Sequence, residues 1–379
     1  MSATPLVATG PPPSWEAHPE GPSRVVVLTG SIGGGHVGPA RELARRLALA
    51  GHRAEVIDVV AAAPAGVGRM LRALFRAQLS WAPGTWDRIF RVTDRDDATA
   101  AGTGGLHHFL VPTLRVVLAQ EPVAAVVSTF PLAGHAAARA IRDGNHRIPL
   151  ITYLTDPAPH AAWIVDGTDR YLTGWTATAA ALRRRTAAPV SVVQALVRPE
   201  FRGGTARERA VHHRDRRSRN RLVLVCSGSW GVGDIAGTVA DLLSDRNGPT
   251  PVVVCGRNDR LRRCLAARFR VPVLGWVPDM ASLMRDCQVA VLNSGGLTLA
   301  EAHAVGLPVV HYRPLAGQGL ANAAFTERAG LARWARSVPE LAATVRTPPT
   351  GADMPLPGRD AVTEVLDLAG RRAAPRSMG

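Results

Sequence analysis

Two kinds of hydrophobic run alternate along this chain. Short, continuous stretches rich in Val, Ile and Leu are separated by longer stretches carrying Ala, Leu and Arg, in which apolar residues return with helical period. The short runs predict strands at 24–29, 54–60, 123–129, 148–154 and 190–195, then at 221–226, 251–255, 271–274, 288–292 and 307–312. A strand with one wet face alternates apolar and polar residues. These strands do not alternate, so both faces are covered, as in parallel sheets flanked by helices. The pattern predicts an α/β fold of doubly wound, Rossmann-like parallel sheets.

At 379 residues the chain is too long for one core, and its composition breaks once, sharply. RPEFRGGTARERAVHHRDRRSRNR loses apolar periodicity and is dense in Arg. The expected division is therefore a disordered Pro-rich leader at 1–23, an α/β domain at 24–197 and an Arg-rich linker at 198–220. A second α/β domain follows at 221–345, then a C-terminal segment at 346–379 whose helix crosses back to the first domain.

Composition changes this picture little. The formal charge of +15 comes from Arg alone, with no Lys, so part of it reflects a coding bias. A basic surface suits phosphate-bearing substrates, anionic membranes or nucleic acid. Apart from Phe201, no aromatic interleaves with the linker arginines, so no stacking platform forms and no nucleic-acid partner is expected. Four cysteines without CxxC spacing read as small buried hydrophobes in a reducing compartment. The N-terminus lacks a signal-peptide pattern and no run is long enough to span a bilayer, which predicts a cytoplasmic protein.

Candidate chemistry gathers in glycine-rich turns that follow strands. After 24–29 comes TGSIGGGHVGPA, where Gly33, Gly35 and Gly38 spell GxGxxG and Asp58 ends the next strand. This is a formal dinucleotide fingerprint, and equally a tight strand-to-helix turn. His36 inside the loop argues against a nicotinamide enzyme. A neutral imidazole beside a helix N-terminus, which disfavours its protonated form, can act as general base on an acceptor hydroxyl. After 221–226, CSGSWGVGD offers the amides of Gly228, Gly231 and Gly233 and the hydroxyl of Ser229 to a diphosphate. After 288–292, Asn293, Ser294, Gly295 and Gly296 open a helix that carries Thr298 in its first turn and Glu301 a turn later. Amides suit phosphate there, and a carboxylate accepts hydrogen bonds from a ribose diol. Glu301 on its own is equally a complement to the helix dipole.

The segment from Gly275 to Phe325 resembles the donor domain of the GT-B glycosyltransferases of family 28, which include the peptidoglycan N-acetylglucosaminyltransferase and the monogalactosyldiacylglycerol synthases. GGGH, VVSTFPLAGHAAARAI and ITYLTDPAPHAAWIVDGTDRYL extend the likeness towards the diacylglycerol-glycosylating branch, over most of residues 24–335. The resemblance implies two domains facing a cleft and a UDP-sugar donor, with neither cofactor nor obligatory metal. It places Val277 at uracil, Glu301 at ribose, and Gly295, Gly296, Leu297 and Thr298 at the diphosphate, with Ser229 opposite. Gln318 falls where the sugar hydroxyls are read. The next position is commonly polar or acidic in the family and here is Gly319. His36 matches the family's loop histidine.

Asp156 and His160 sit just past strand 148–154, at the sheet edge where ligands bind. They are candidates to abstract or position the acceptor proton, and equally a turn residue and a surface imidazole. Asp94-Arg95-Asp96 spells a metal-binding DxD but lies in a polar stretch and reads as a solvated loop. Residues 66–81 form a basic amphipathic run ending at Trp81. This run suits peripheral contact with an anionic membrane at its inner face, or equally an ordinary surface helix. The expected function is transfer of a hexosyl unit from a UDP-sugar to a hydroxyl of a lipid-like, diacylglycerol-type acceptor. The alternatives are transfer to a secondary-metabolite scaffold, a UDP-N-acetylglucosamine 2-epimerase and, more remotely, a nicotinamide oxidoreductase.

Overall fold

The computed structural model describes residues 24–32, 34–63, 66–70, 72–73, 83–94, 105–202, 221–293, 295–348 and 358–373. The leader 1–23, residues 203–220 of the linker, Leu71 and 74–81 of the amphipathic run, and Gly33, Arg95, Asp96 and Ser294 lie outside them.

The first half builds β1 (Arg24–Thr29), β2 (Arg53–Asp58), β3 (Val123–Ser128), β4 (Leu150–Leu154), β5 (Arg170–Thr173) and β6 (Val190–Val192). They form one parallel sheet in the order β2-β1-β3-β4-β5-β6. Around it lie α1 (Val37–Leu49), α2 (Pro83–Val92), α3 (Val111–Gln120), α4 (Pro131–Asp143) and α5 (Thr176–Leu182). The second half builds β7 (Leu222–Cys226), β8 (Thr250–Val254), β9 (Val273–Leu274), β10 (Val289–Leu292), β11 (Val309–Tyr312) and β12 (Arg333–Ala335). These pair in parallel as β12-β11-β10-β7-β8-β9. Its helices are α6 (Ile235–Ser244), α7 (Asp259–Arg268), α8 (Met280–Asp286), α9 (Gly296–Ala304), α10 (Gln318–Arg328) and α11 (Val338–Arg346).

Burial explains the unbroken apolar runs. Val26 and Leu28 of β1 enter one core cluster, while Val25 and Val27 enter another. Leu224 and Cys226 of β7 likewise face away from Val223 and Val225. Each side chain is covered whichever face it takes, which stabilises the fold by roughly 1.5–3 kcal/mol per large aliphatic. Three cysteines are buried, and Cys264 is exposed.

Strand order reverses between β1 and β3 in the first sheet, and between β7 and β10 in the second. At such a switch point the two loops diverge and leave a crevice at the carboxyl edge. The GGGH loop occupies one crevice edge, and the turns after β7 and β10 occupy the other. The glycine-rich turns found in sequence therefore sit where these folds bind ligands.

The chain passes between the halves twice. Residues 195–201 pack Ala195, Val197 and Phe201 into the second sheet's core. After α11 the chain returns: Arg359 bridges to Val193, and α12 (Ala361–Ala373) buries Ala361, Val362 and Val365 among β1 and β3 residues. Both passes meet α1 at the pair of Glu42, which is 1% exposed, and Arg46. The Glu42 carboxylate accepts from Arg45 (2.9 Å), Arg46 (2.8 Å) and Arg202 (2.6 Å). Arg46 also donates to the Ala195 carbonyl (2.8 Å) and reaches Asp360 (3.3 Å).

Candidate active site

At the end of β1 the chain must turn within a few residues to start α1, and small residues let it do so against close neighbours. A side chain at Gly34 would stand 3.1 Å from the Ser229 hydroxyl, and one at Gly38 would collide with Leu297. The GGGH loop thus rests directly on the turns of the second domain. His36 is the residue before α1, with φ −92° and ψ −37°.

His36 Nδ1 lies 2.9 Å from the Thr129 carbonyl and 2.9 Å from Thr155 Oγ1. A carbonyl only accepts, so Nδ1 carries the proton and donates it. The neutral ring therefore keeps its basic lone pair on Nε2. Thr129 Oγ1 donates to the His36 carbonyl (3.0 Å), and the ring packs 5.0 Å from Phe130 and 5.9 Å from Trp163. Burial lowers the His36 pKa from the usual imidazole range, against an opposing pull from Asp156 and the Thr129 hydrogen bond.

Asp156 is held by both domains. Trp163 Nε1 donates to its Oδ2 (3.3 Å), and Asn322 Nδ2 of α10 donates to its Oδ1 (3.4 Å). Burial raises its pKa, with His36, Asn322, Trp163 and His160 opposing. Gly296, at the start of α9, lies so close that a Cβ would strike the Thr155 carbonyl. His160 has another task. Its Nδ1 accepts from Ala162 N (3.0 Å), so Nε2 carries the proton and donates to the Phe90 carbonyl (2.9 Å). Both nitrogens are engaged and the ring stacks 4.0 Å from Phe90. His160 fastens α2 to this turn, which leaves it no lone pair for an acceptor.

On the second domain, Gly228, Gly231 and Gly233 have φ of 71°, 57° and 98°, conformations that favour glycine. Asn293, 4% exposed, ties the two turns together: its Nδ2 donates to the Val232 carbonyl (2.7 Å) and its own carbonyl accepts from Leu315 N (2.8 Å). The amides of Gly295, Gly296 and Leu297 form the N-terminus of α9, with Thr298 in its first turn. Val277 is half-buried against the core, beside exposed Trp276, whose ring Arg257 covers at 4.8 Å. Gln318 begins α10 and donates to Asn322 Oδ1 (3.1 Å).

Glu301 is half-buried on α9. Burial lifts its pKa to about 7, partly offset by Arg198. The sequence expectation sets Glu301 at a ribose, and a ribose diol hydrogen-bonds best to the ionised carboxylate. On that expectation, UDP-sugar affinity tightens by up to about tenfold between pH 6 and pH 8, and Glu301→Gln flattens the dependence. Calorimetric titration across this range checks it, and a flat wild-type profile would remove Glu301 from the ribose.

Asp58 and Asp94, both named from sequence, are engaged by neighbouring groups. Asp58 Oδ1 accepts from the amides of Ser31 (3.1 Å), Val60 (3.0 Å) and Ala61 (3.2 Å), bracing loops rather than offering a carboxylate to a dinucleotide ribose. Asp94 accepts from Ala161 N (2.8 Å) and Arg185 (2.9 Å). No His, Cys, Asp and Glu cluster suited to a metal occurs among the described residues.

Solved structures share this architecture. MurG of Acinetobacter baumannii aligns with TM-score 0.54 and 15% identity over 92% of this chain and 100% of that one. UGT89C1 of Arabidopsis thaliana, solved with UDP-L-rhamnose, aligns with TM-score 0.55 and 13% identity over 93% and 95%. These likenesses show the GT-B fold. Two family models also match, monogalactosyldiacylglycerol (MGDG) synthase over residues 37–192 and glycosyl transferases group 1 over 222–347. Each domain thus matches a glycosyltransferase model, and the two matches together with the shared fold are consistent with the GT-B glycosyltransferases of family 28.

Relatives within this group of GT-B proteins are named processive diacylglycerol beta-glucosyltransferase. That of Bacillus subtilis is 28% identical over 55% of this chain and 56% of its own length. That of Bacillus cytotoxicus is 25% identical over 82% and 81%. Apart from the latter, the chain spans about half the length of the curated relatives it matches. Among the described residues, no helix is long and apolar enough to cross a membrane.

Proposed function

We propose that this protein transfers a hexosyl unit from a UDP-sugar to a hydroxyl of a lipid-like acceptor of the diacylglycerol type, acting at a membrane surface. The observation that carries this reading is the apposition of the GGGH loop and the second domain's turns, Gly34 on Ser229 and Gly38 on Leu297. A base on one side and a helix N-terminus on the other face a shared seam.

In this reading the uracil lies by Val277, the ribose on Glu301, and the diphosphate on the amides of Gly295, Gly296 and Leu297. The side chain of Thr298 and the Gly228–Gly231 turn with Ser229 flank it. The leaving UDP gains charge at helix α9's positive end, where oriented amides stabilise it without reorganising. His36 Nε2 takes the acceptor proton, and Asp156 stabilises the imidazolium that results. Names of the relatives supply the acceptor class.

Purified protein is expected to release UDP from a preferred UDP-hexose faster when diacylglycerol vesicles are present, with a glycolipid product seen by mass spectrometry. UDP release that never depends on acceptor, with no glycolipid formed, would sink the lipid reading and favour an epimerase-like reaction.

A further inference from the structure

Helix α10 opens at Gly317, which has φ +70° and is followed by Gln318. Its first amide is not capped from its own domain. Gly317 N donates to Asp87 Oδ1 (3.3 Å), on α2 of the first domain. We infer that Asp87 reads the donor's hexose together with Gln318, so that donor specificity is shared across the domain interface. This rests on the donor reading above.

Recognition of a sugar needs acceptors aimed at its hydroxyls as well as donors. The second domain supplies an amide at Gln318, and the next residue, Gly319, carries no side chain. Gly319 cannot contribute, because a Cβ there would stand 3.0 Å from both the Asn293 carbonyl and the Leu315 side chain. Asp87 brings the missing chemistry to the same corner. One of its oxygens engages Gly317, and the other pairs with Arg91 at 2.9 Å, a guanidinium 73% exposed. An ionised carboxylate has about four acceptor positions, so capacity remains for sugar hydroxyls. An exposed pair of this kind yields at little cost.

A buried acceptor without a partner lies in the adjoining turn. Asn293 Oδ1 is buried without a hydrogen-bond partner among the described residues; its side chain lies against Gly233 and Val232, and its backbone carbonyl lies against Gly319. Asn293 is 4% exposed, and a buried acceptor in such surroundings is satisfied by a ligand hydroxyl or water.

The test compares wild type, Asp87→Asn and Asp87→Ala with UDP-glucose, UDP-galactose and UDP alone. Asp87→Ala is expected to lower kcat/KM for the preferred hexose by about 10–100-fold and to compress the glucose-to-galactose ratio towards unity. UDP affinity should stay within about twofold, since Asp87 would touch the sugar alone. Asp87→Asn, which keeps the shape and one acceptor oxygen, should fall between. An unchanged ratio, or a loss of UDP affinity as large as that of UDP-sugar, would reduce Asp87 to a cap on α10 and overturn the inference. A wild-type protein that neither binds UDP nor uses any UDP-hexose would overturn the donor reading itself.

Discussion

His36→Ala is expected to lower kcat by about 10²–10⁴-fold while leaving UDP-sugar affinity nearly unchanged. The base is lost, but the donor turns of the second domain are not. Its pH signature is as informative as its size. As the proposed base His36 works deprotonated, and burial holds its pKa below the ordinary 6.5, so wild-type kcat/KM should stay flat through neutrality and fall only on the acid side. Because Asp156 sits close enough to perturb His36, the limb belongs to the pair. Asp156→Asn removes the charge that favours imidazolium, so it should move the limb further to acid and slow the reaction. Stopped assays of glycolipid formation from pH 5 to pH 8 check both. A His36→Ala enzyme within about threefold of wild type would take the base role away from this residue.

The second large effect concerns stability. Glu42→Ala is expected to cost about 3 kcal/mol, because it leaves Arg46, 7% exposed, without its carboxylate in a desolvated place. For a domain of this size that lowers the unfolding midpoint by roughly 6–12 °C. Arg45→Ala, at the 42% exposed end of the same cluster, should cost no more than about 0.5 kcal/mol. Differential scanning fluorimetry of the two variants separates them, and equal shifts would mean that the cluster is not organised around burial.

Much of this was legible in the chain because parallel strands advertise themselves. Among the described residues, ten of the twelve strands follow from continuous apolar runs. The two others, β5 and β12, carry Arg170 and Arg333 and last four and three residues. Arg170 is tolerated in β5 because Glu364 of α12 pairs with it, 194 residues away, a partner no local window contains. The turns holding His36, Ser229, Gly295 and Glu301 were readable because glycine after a strand has a backbone reason. Asp156 and His160 looked alike, four residues apart, and only their partners tell them apart: Trp163 and Asn322 for one, Ala162 and Phe90 for the other. Asn322 went unnoticed, although it lies one helical turn beyond Gln318 and shares its face. Asp87 left no sequence signal at all, since its meaning comes from a contact 230 residues away.

The return of the chain through Arg359 and α12 has a mechanical consequence. Two bodies joined by one tether can tumble freely, whereas two tethers confine them to rocking about the line between the attachment points. Here those points gather around Glu42 and Arg46, on the same helix that His36 precedes. The same path interlocks the halves. Cleavage anywhere between Arg202 and Arg221 would divide the polypeptide without dividing the fold, because the C-terminal piece still threads α12 into the core of its former neighbour.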